Sequence, residues 1–166
     1  MPMQQHFDGV AYKLGNAEIE AQLAMVRPLP IFSEEACALL AALSARILSD
    51  AEAKVYPDIV TLGFWCRSAS LRQMQKQYDM EENRLGRGIV FHVAPSNVAM
   101  NFAYSCFAAF LAGNASIVRL PSKDFPQVTL FCRFFSETLA DFPALAPYFL
   151  FVRYGHDQEV NDHYSQ

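Results

Sequence analysis

Between Gly88 and Val118 the sequence carries no Asp, Glu, Lys or Arg. A stretch of that length without charge belongs out of water, in a bilayer or in a protein core. A membrane helix needs about 20 consecutive apolar residues. Pro95, Asn97, Asn101, Gly113 and Asn114 interrupt this run, and its most apolar part, residues 98–112, is too short. The stretch therefore reads as a strand and a helix buried in a soluble core, with no membrane span.

The rest of the composition fits a core of that kind. The chain has 166 residues, 52% of them hydrophobic and only 18% charged, which argues against disorder. That length suits one domain, or a domain with an appendage. The net charge is −4, and no basic run offers to neutralise a nucleic-acid backbone. Cys37, Cys66, Cys106 and Cys132 stand apart from one another. No CxxC pair is present, so there is no zinc signature and no metal is expected. The opening residues MPMQQHFDG lack the charged and apolar regions of an export signal. Together with isolated cysteines, this suggests reduced thiols in a cytoplasmic setting.

The rhythm of the chain changes near residue 86. Residues 1–32 read as a lead-in, loosely structured over 8–32, although 17–25 could form a short helix. Residues 33–85 read as helical. Ser33 precedes Glu34 and Glu35, and Ala36, Leu39, Leu40, Leu43 and Ile47 then share one helix face, with Ser33 as N-cap. A second helix is predicted from Pro57 or Asp58 to about Tyr78. From residue 86 onward the pattern is strand, helix, strand, helix, strand. The predicted strands are Ile89 to Val93, Ser116 to Leu120 and Pro147 to Tyr154. The helices between them are Met100 to Leu111, closed by Gly113, and Phe125 to Leu139. Helical crossovers between apolar strands predict a parallel sheet with helices on both faces. The expected fold class is α/β, with residues 86–166 forming a βαβαβ parallel half-sheet, the first half of a nucleotide-binding domain.

The usual GxGxxG fingerprint is absent after the first strand. In its place stand Ala94-Pro95-Ser96-Asn97, then FLAGN at 110–114 and IVRLPSK at 117–123. This order resembles the aldehyde dehydrogenase superfamily, where the first strand ends in Pro-Trp-Asn and the next helix and strand end in Ala-Gly-Asn and Lys-Pro-Ser-Glu. A finer resemblance is to the LuxC-type acyl-CoA reductases, the fatty-acid reductase branch of that superfamily. It is carried by YPDIVTLGFWCR at 56–67, FHVAPSNV at 91–98, NASIVRLPSKDFPQV at 114–128 and VRYGHDQE at 152–159.

The resemblance implies a Rossmann-like NAD(P)-binding domain in a cytoplasmic enzyme. That enzyme would reduce fatty acyl thioesters to aldehydes with NADPH through an acyl-cysteine intermediate. Asn97 matches the asparagine whose amide donates to the developing oxyanion. One fixed neutral donor of this sort stabilises the transition state by roughly 2.7–4 kcal/mol. Read from the local residues alone, Asn97 could equally cap the following helix. Ala94, Pro95 and Ser96 would line the cofactor's path, with Ser96 replacing the family's tryptophan.

On the second strand, Leu120 stands where the superfamily has its ribose-binding lysine. Arg119, one step earlier, is counted with the cofactor-binding candidates, although it faces the opposite way unless the strand bends. Lys123 replaces a glutamate. A glutamate repels a 2′-phosphate and a lysine attracts one, so Ser122 and Lys123 are expected near the extra phosphate of NADPH.

Other chemically capable residues have plainer readings. Cys106 falls within a buried helix, where a thiol is usually inert. His92 reads as a histidine of the core, or one that supports a neighbouring site residue, rather than as a base. Phe64, Trp65 and Arg67 read as a helix packed on the domain, with aromatics that could border an acyl channel. His156 and Asp157 read as a loop, and His163 as part of a polar tail. No position matches the superfamily's nucleophilic cysteine. The resemblance therefore implies an N-terminal portion, inactive alone, whose partner is the remainder of the enzyme or another copy. A catalytically inactive binding or interaction module is the alternative.

Overall fold

A computed structural model describes residues 9–78 and 83–166. Residues 1–8, read above as lacking export features, lie outside the described residues. In chain order the elements are β1 (Ala11–Leu14), α1 (Ala17–Leu23), α2 (Glu34–Ser49), α3 (Pro57–Trp65) and α4 (Ser68–Gln75). Then come β2 (Ile89–Val93), α5 (Asn101–Leu111), β3 (Ala115–Arg119), α6 (Pro126–Ala140), β4 (Phe149–Arg153) and α7 (Gln158–Ser165). Among the described residues no helix is long and apolar enough to cross a membrane.

The charge-free stretch folds as β2, α5 and most of β3. β2 pairs in parallel with β3, from Ile89 opposite Ala115 to Val93 opposite Arg119. β3 pairs in parallel with β4, from Ser116 opposite Phe149 to Arg119 opposite Val152. The three expected strands and two crossover helices are therefore present. The purely parallel sheet is not, because β1 adds antiparallel to β4 and makes the sheet mixed, in the order β1-β4-β3-β2. The sequence reading assigned no strand to residues 11–14. Four residues, only one of them buried, carry no strand signature of their own and become a strand by pairing with β4. β4 is thus paired on both sides, and the edge strands of the described sheet are β1 and β2.

Alternation along the strands sets the layers. Phe149 and Phe151 of β4 point to the face that carries α5 and α6. There Phe151 meets Phe102 edge-on at 5.7 Å between ring centroids, and Phe149 meets Phe135 at 4.8 Å. Phe107 and Phe131 complete this aromatic core, all of it fully buried or nearly so. Aromatic pairs in tilted and edge-on contact contribute roughly 0.5–1.5 kcal/mol each beyond their burial. α2 packs outside α5 and α6, and α3 and α4 pack on α2. The opposite face of the sheet is covered by α1 and α7, with Tyr164 of α7 lying 6.0 Å from Phe91 of β2.

Ser33 caps α2 as expected, its Oγ accepting from Ala36 N at 3.3 Å. The single helix predicted from residue 57 to about 78 is two. Arg67, in extended conformation (φ −63°, ψ 144°), separates α3 from α4. α3 buries Ile59 and Leu62, and α4 buries Leu71. Three segments cross tightly where α5 ends. Gly113 N donates to Phe110 O, Leu29 N donates to Gly113 O, and Gly86 N donates to Leu29 O. Gly113 has φ +90°, and a Cβ there would sit 2.0 Å from Leu29 O. Asn114 completes the junction. Its Oδ1 accepts from Arg87 N at 2.6 Å and Gly88 N at 3.2 Å.

Candidate functional site

The parallel register brings the carboxyl ends of β2, β3 and β4 to one edge of the sheet, with Val93 beside Arg119 and Arg119 beside Val152. Three loops emerge there: 94–100 after β2, 120–125 after β3, and 154–157 after β4. The first two hold the sequence-predicted site residues.

Asn97 is exposed in a turn after β2. It does not cap α5. That helix starts at Asn101, its N-cap is Met100, and no side chain caps it. The Asn97 amide has no hydrogen-bond partner among the described residues. It is a neutral donor and acceptor held at the end of a strand and not engaged by the chain itself. Pro95 and Ser96 are exposed beside it. Ala94 is part-buried and extends the sheet pairing by one bond, its N–H donating to Arg119 O at 3.0 Å.

After β3 the side chains alternate as the pleat requires. Leu120 is buried on the α6 side. Arg119 turns the other way, toward α7. Its guanidinium carbon lies 4.4 Å from the centroid of the Tyr154 ring. Nη2 donates to Gly155 O at 2.8 Å and Nη1 donates to Asn161 Oδ1 at 3.2 Å. Tyr154 Oη donates to the same Asn161 oxygen at 2.8 Å. Arg119 thus fastens the exits of β3 and β4 to α7. No local pattern marks this brace, since Arg119 and Asn161 meet only when α7 folds back. Ser122 and Lys123 are exposed at the bend after Leu120. Lys123 Nζ lies 5.1 Å from the Phe125 ring centroid and pairs with no carboxylate among the described residues.

The plainer readings fare as follows. His92 is buried between β2, β3 and α5. Its Nδ1 lies 2.7 Å from Ser105 Oγ, and its Nε2 lies 3.1 Å from Ser116 Oγ. Burial lowers its pKa. Burial pushes the Cys106 thiol up to about 12, against a smaller opposing effect of a hydrogen bond with Ser116. Cys37, Cys66 and Cys132 are raised by burial as well. None of the four thiols is prepared as a thiolate nucleophile. Trp65 packs edge-on against Tyr104 at 5.6 Å, while Phe64 is 49% exposed with Arg67 over its ring. The segment read as a polar tail is the helix α7. Asp157 caps it by accepting from Glu159 N and Val160 N, and His163 lies 3.6 Å from Glu20.

Parallel strands joined by helices, with unengaged polar residues at their carboxyl ends, define an α/β protein of the kind that takes ligands beyond the strand ends. The family model described as acyl-CoA reductase (LuxC) matches residues 58–161, more than half of the chain, and the chain belongs to that family. Its function is related to acyl-CoA reduction. No curated protein and no solved structure matches the chain.

Proposed function

We propose that this chain supplies the dinucleotide-facing part of an enzyme that reduces fatty acyl thioesters to aldehydes with NADPH. The observation that carries this reading is Asn97: exposed, without an internal partner, and in the turn directly after the first parallel strand. An amide held there can donate to the oxygen of a thioester carbonyl as negative charge develops on it, and needs no reorganisation to do so. When bound, NADPH supplies the hydride. Ala94, Pro95 and Ser96 offer it a short surface at the β2 exit. Ser122 and Lys123 offer a hydroxyl and an unpaired cation, a donor set suited to a 2′-phosphate. Arg119 contributes by bracing β3 and β4 against α7. The β2–α5–β3–α6–β4 order supports reading this part as half of a Rossmann-like domain of aldehyde dehydrogenase type.

The free edge of β2 is the natural place for a further strand, from the remainder of the enzyme or from a second copy. Leu85, Ile89, Val93 and Val98 are each at least 45% exposed in this region. Association there would cover them.

Fluorescence titration of the purified chain with NADPH and NADH tests the cofactor side. NADPH is expected to bind more tightly than NADH. Lys123→Glu is expected to weaken NADPH binding about tenfold and leave NADH little changed, because the added carboxylate repels a 2′-phosphate that NADH lacks. An unchanged preference sinks the assignment.

A further inference from the structure

A second polar site lies in a cleft between α6 and the β1–β4 side of the sheet. Its volume is about 230 Å³. That is several times the ~30 Å³ that one water occupies in the liquid. Three elements face it. β1 contributes Lys13, β4 contributes Arg153, and α6 contributes Thr129, Cys132, Arg133 and Ser136. The α6 residues are spaced i, i+3, i+4 and i+7, so they form one stripe of that helix. No Asp or Glu lines the cleft.

The donors in this cleft are underused. Arg153 Nε is buried and has no hydrogen-bond partner. Its Nη1 reaches out to Asp124 at 3.1 Å, and that carboxylate is 81% exposed. Lys13 sits at the irregularity in β1, where the register shifts between Tyr12 and Leu14. Such bulges re-aim a side chain. Lys13 is exposed and pairs with nothing among the described residues. The hydroxyls of Thr129 and Ser136 also have no partner there. Arg133 is different, because Glu52 holds it at 2.8 Å and Glu137 at 3.9 Å, so it forms the rim. A desolvated guanidinium N–H with no acceptor is costly, and a small shift of Arg153 that brings Nε to an acceptor in the cleft removes that cost.

We propose that this cleft binds a phosphate group. Arg153 Nε and Lys13 Nζ supply the charged donors, and Thr129 and Ser136 supply hydroxyls from α6. A tetrahedral anion can meet donors converging from three elements, and its several oxygens accept from each. Its residues are not those assigned to the site at Asn97, although Leu120 and the Asp124 partner of Arg153 place it beside the 120–125 loop.

The test uses the whole chain, labelled for nuclear magnetic resonance of arginine Nε–H groups and titrated separately with inorganic phosphate and with adenosine monophosphate. The expected result is a saturable shift of the Arg153 Nε–H signal, assigned by its loss in Arg153→Lys. Lys13→Ala, an exposed change on an edge strand, is expected to weaken binding about tenfold, the effect of losing one charged hydrogen bond. A shift with both ligands identifies the anion itself as sufficient. A shift with adenosine monophosphate alone identifies a nucleotide as the source of the phosphate. If neither ligand moves the Arg153 signal, or if Lys13→Ala binds as tightly as the parent chain, the proposal is overturned.

Discussion

Asn97 and His92 are five residues apart and meet opposite fates, one in the turn beyond β2 and the other inside the strand. His92 points inward from β2 to the α5 side and is held between two serine hydroxyls. Asn97 lies beyond the strand, where nothing in the chain claims it. The sequence showed His92 as a core residue because it sits in an apolar run. It could not show the Ser105 and Ser116 partners, which come from a helix and a neighbouring strand. Their arrangement has a pH consequence. Burial depresses the folded-state pKa of His92, so the unfolded chain takes up the proton more readily. The stability contributed by neutral His92 is present above the unfolded value near 6.5 and is lost as pH falls below it toward the folded pKa. Thermal melts at pH 7.5 and pH 5 should show the parent chain losing more stability on acidification than His92→Gln does. Equal losses would rule out His92 as a source of acid sensitivity.

At the level of elements, helices were legible wherever capping and periodicity agreed. α2 follows Ser33 and its acidic first turn, and α5 ends where Gly113 takes φ +90°. The elements misread were those whose existence depends on distant partners. β1 forms because β4 offers it an edge. α7 forms on residues that look like a polar tail, capped by Asp157 and anchored by Val160 and Tyr164 against the sheet. The division of α3 from α4 follows from packing on α2. The crossing at Gly113 combines both kinds of constraint, local conformation and close approach to Leu29. Gly113→Ala must adopt a left-handed backbone and displace a carbonyl, so a loss of about 1–3 kcal/mol or more is expected in urea unfolding. A variant as stable as the parent would mean that the three-segment crossing is looser than its hydrogen bonds indicate.

Across the whole molecule, the described sheet ends in β1 on one side and β2 on the other. β1 blunts the β4 edge, and all four residues from Phe149 to Val152 are 0% exposed. β2 keeps its unpaired backbone groups and shows Ile89 and Val93 at 45% and 61% exposure. Edges of this kind recruit other strands unless a charge is placed on them. Val93→Lys should therefore leave the melting midpoint nearly unchanged and reduce any concentration-dependent association in analytical ultracentrifugation. If the variant associates as strongly as the parent, association runs through another surface. The sequence by itself determined the parallel core, because charge-free strands and apolar helices can escape water only by stacking in that way. It also marked the loop residues Asn97, Ser122 and Lys123. Only the tertiary structure decided which strands form the edges of the sheet, that Arg119 braces α7, and that Lys13 and Arg153 share a cleft. These depend on contacts between residues far apart in the chain, and the periodicity of either segment carries no information about the other.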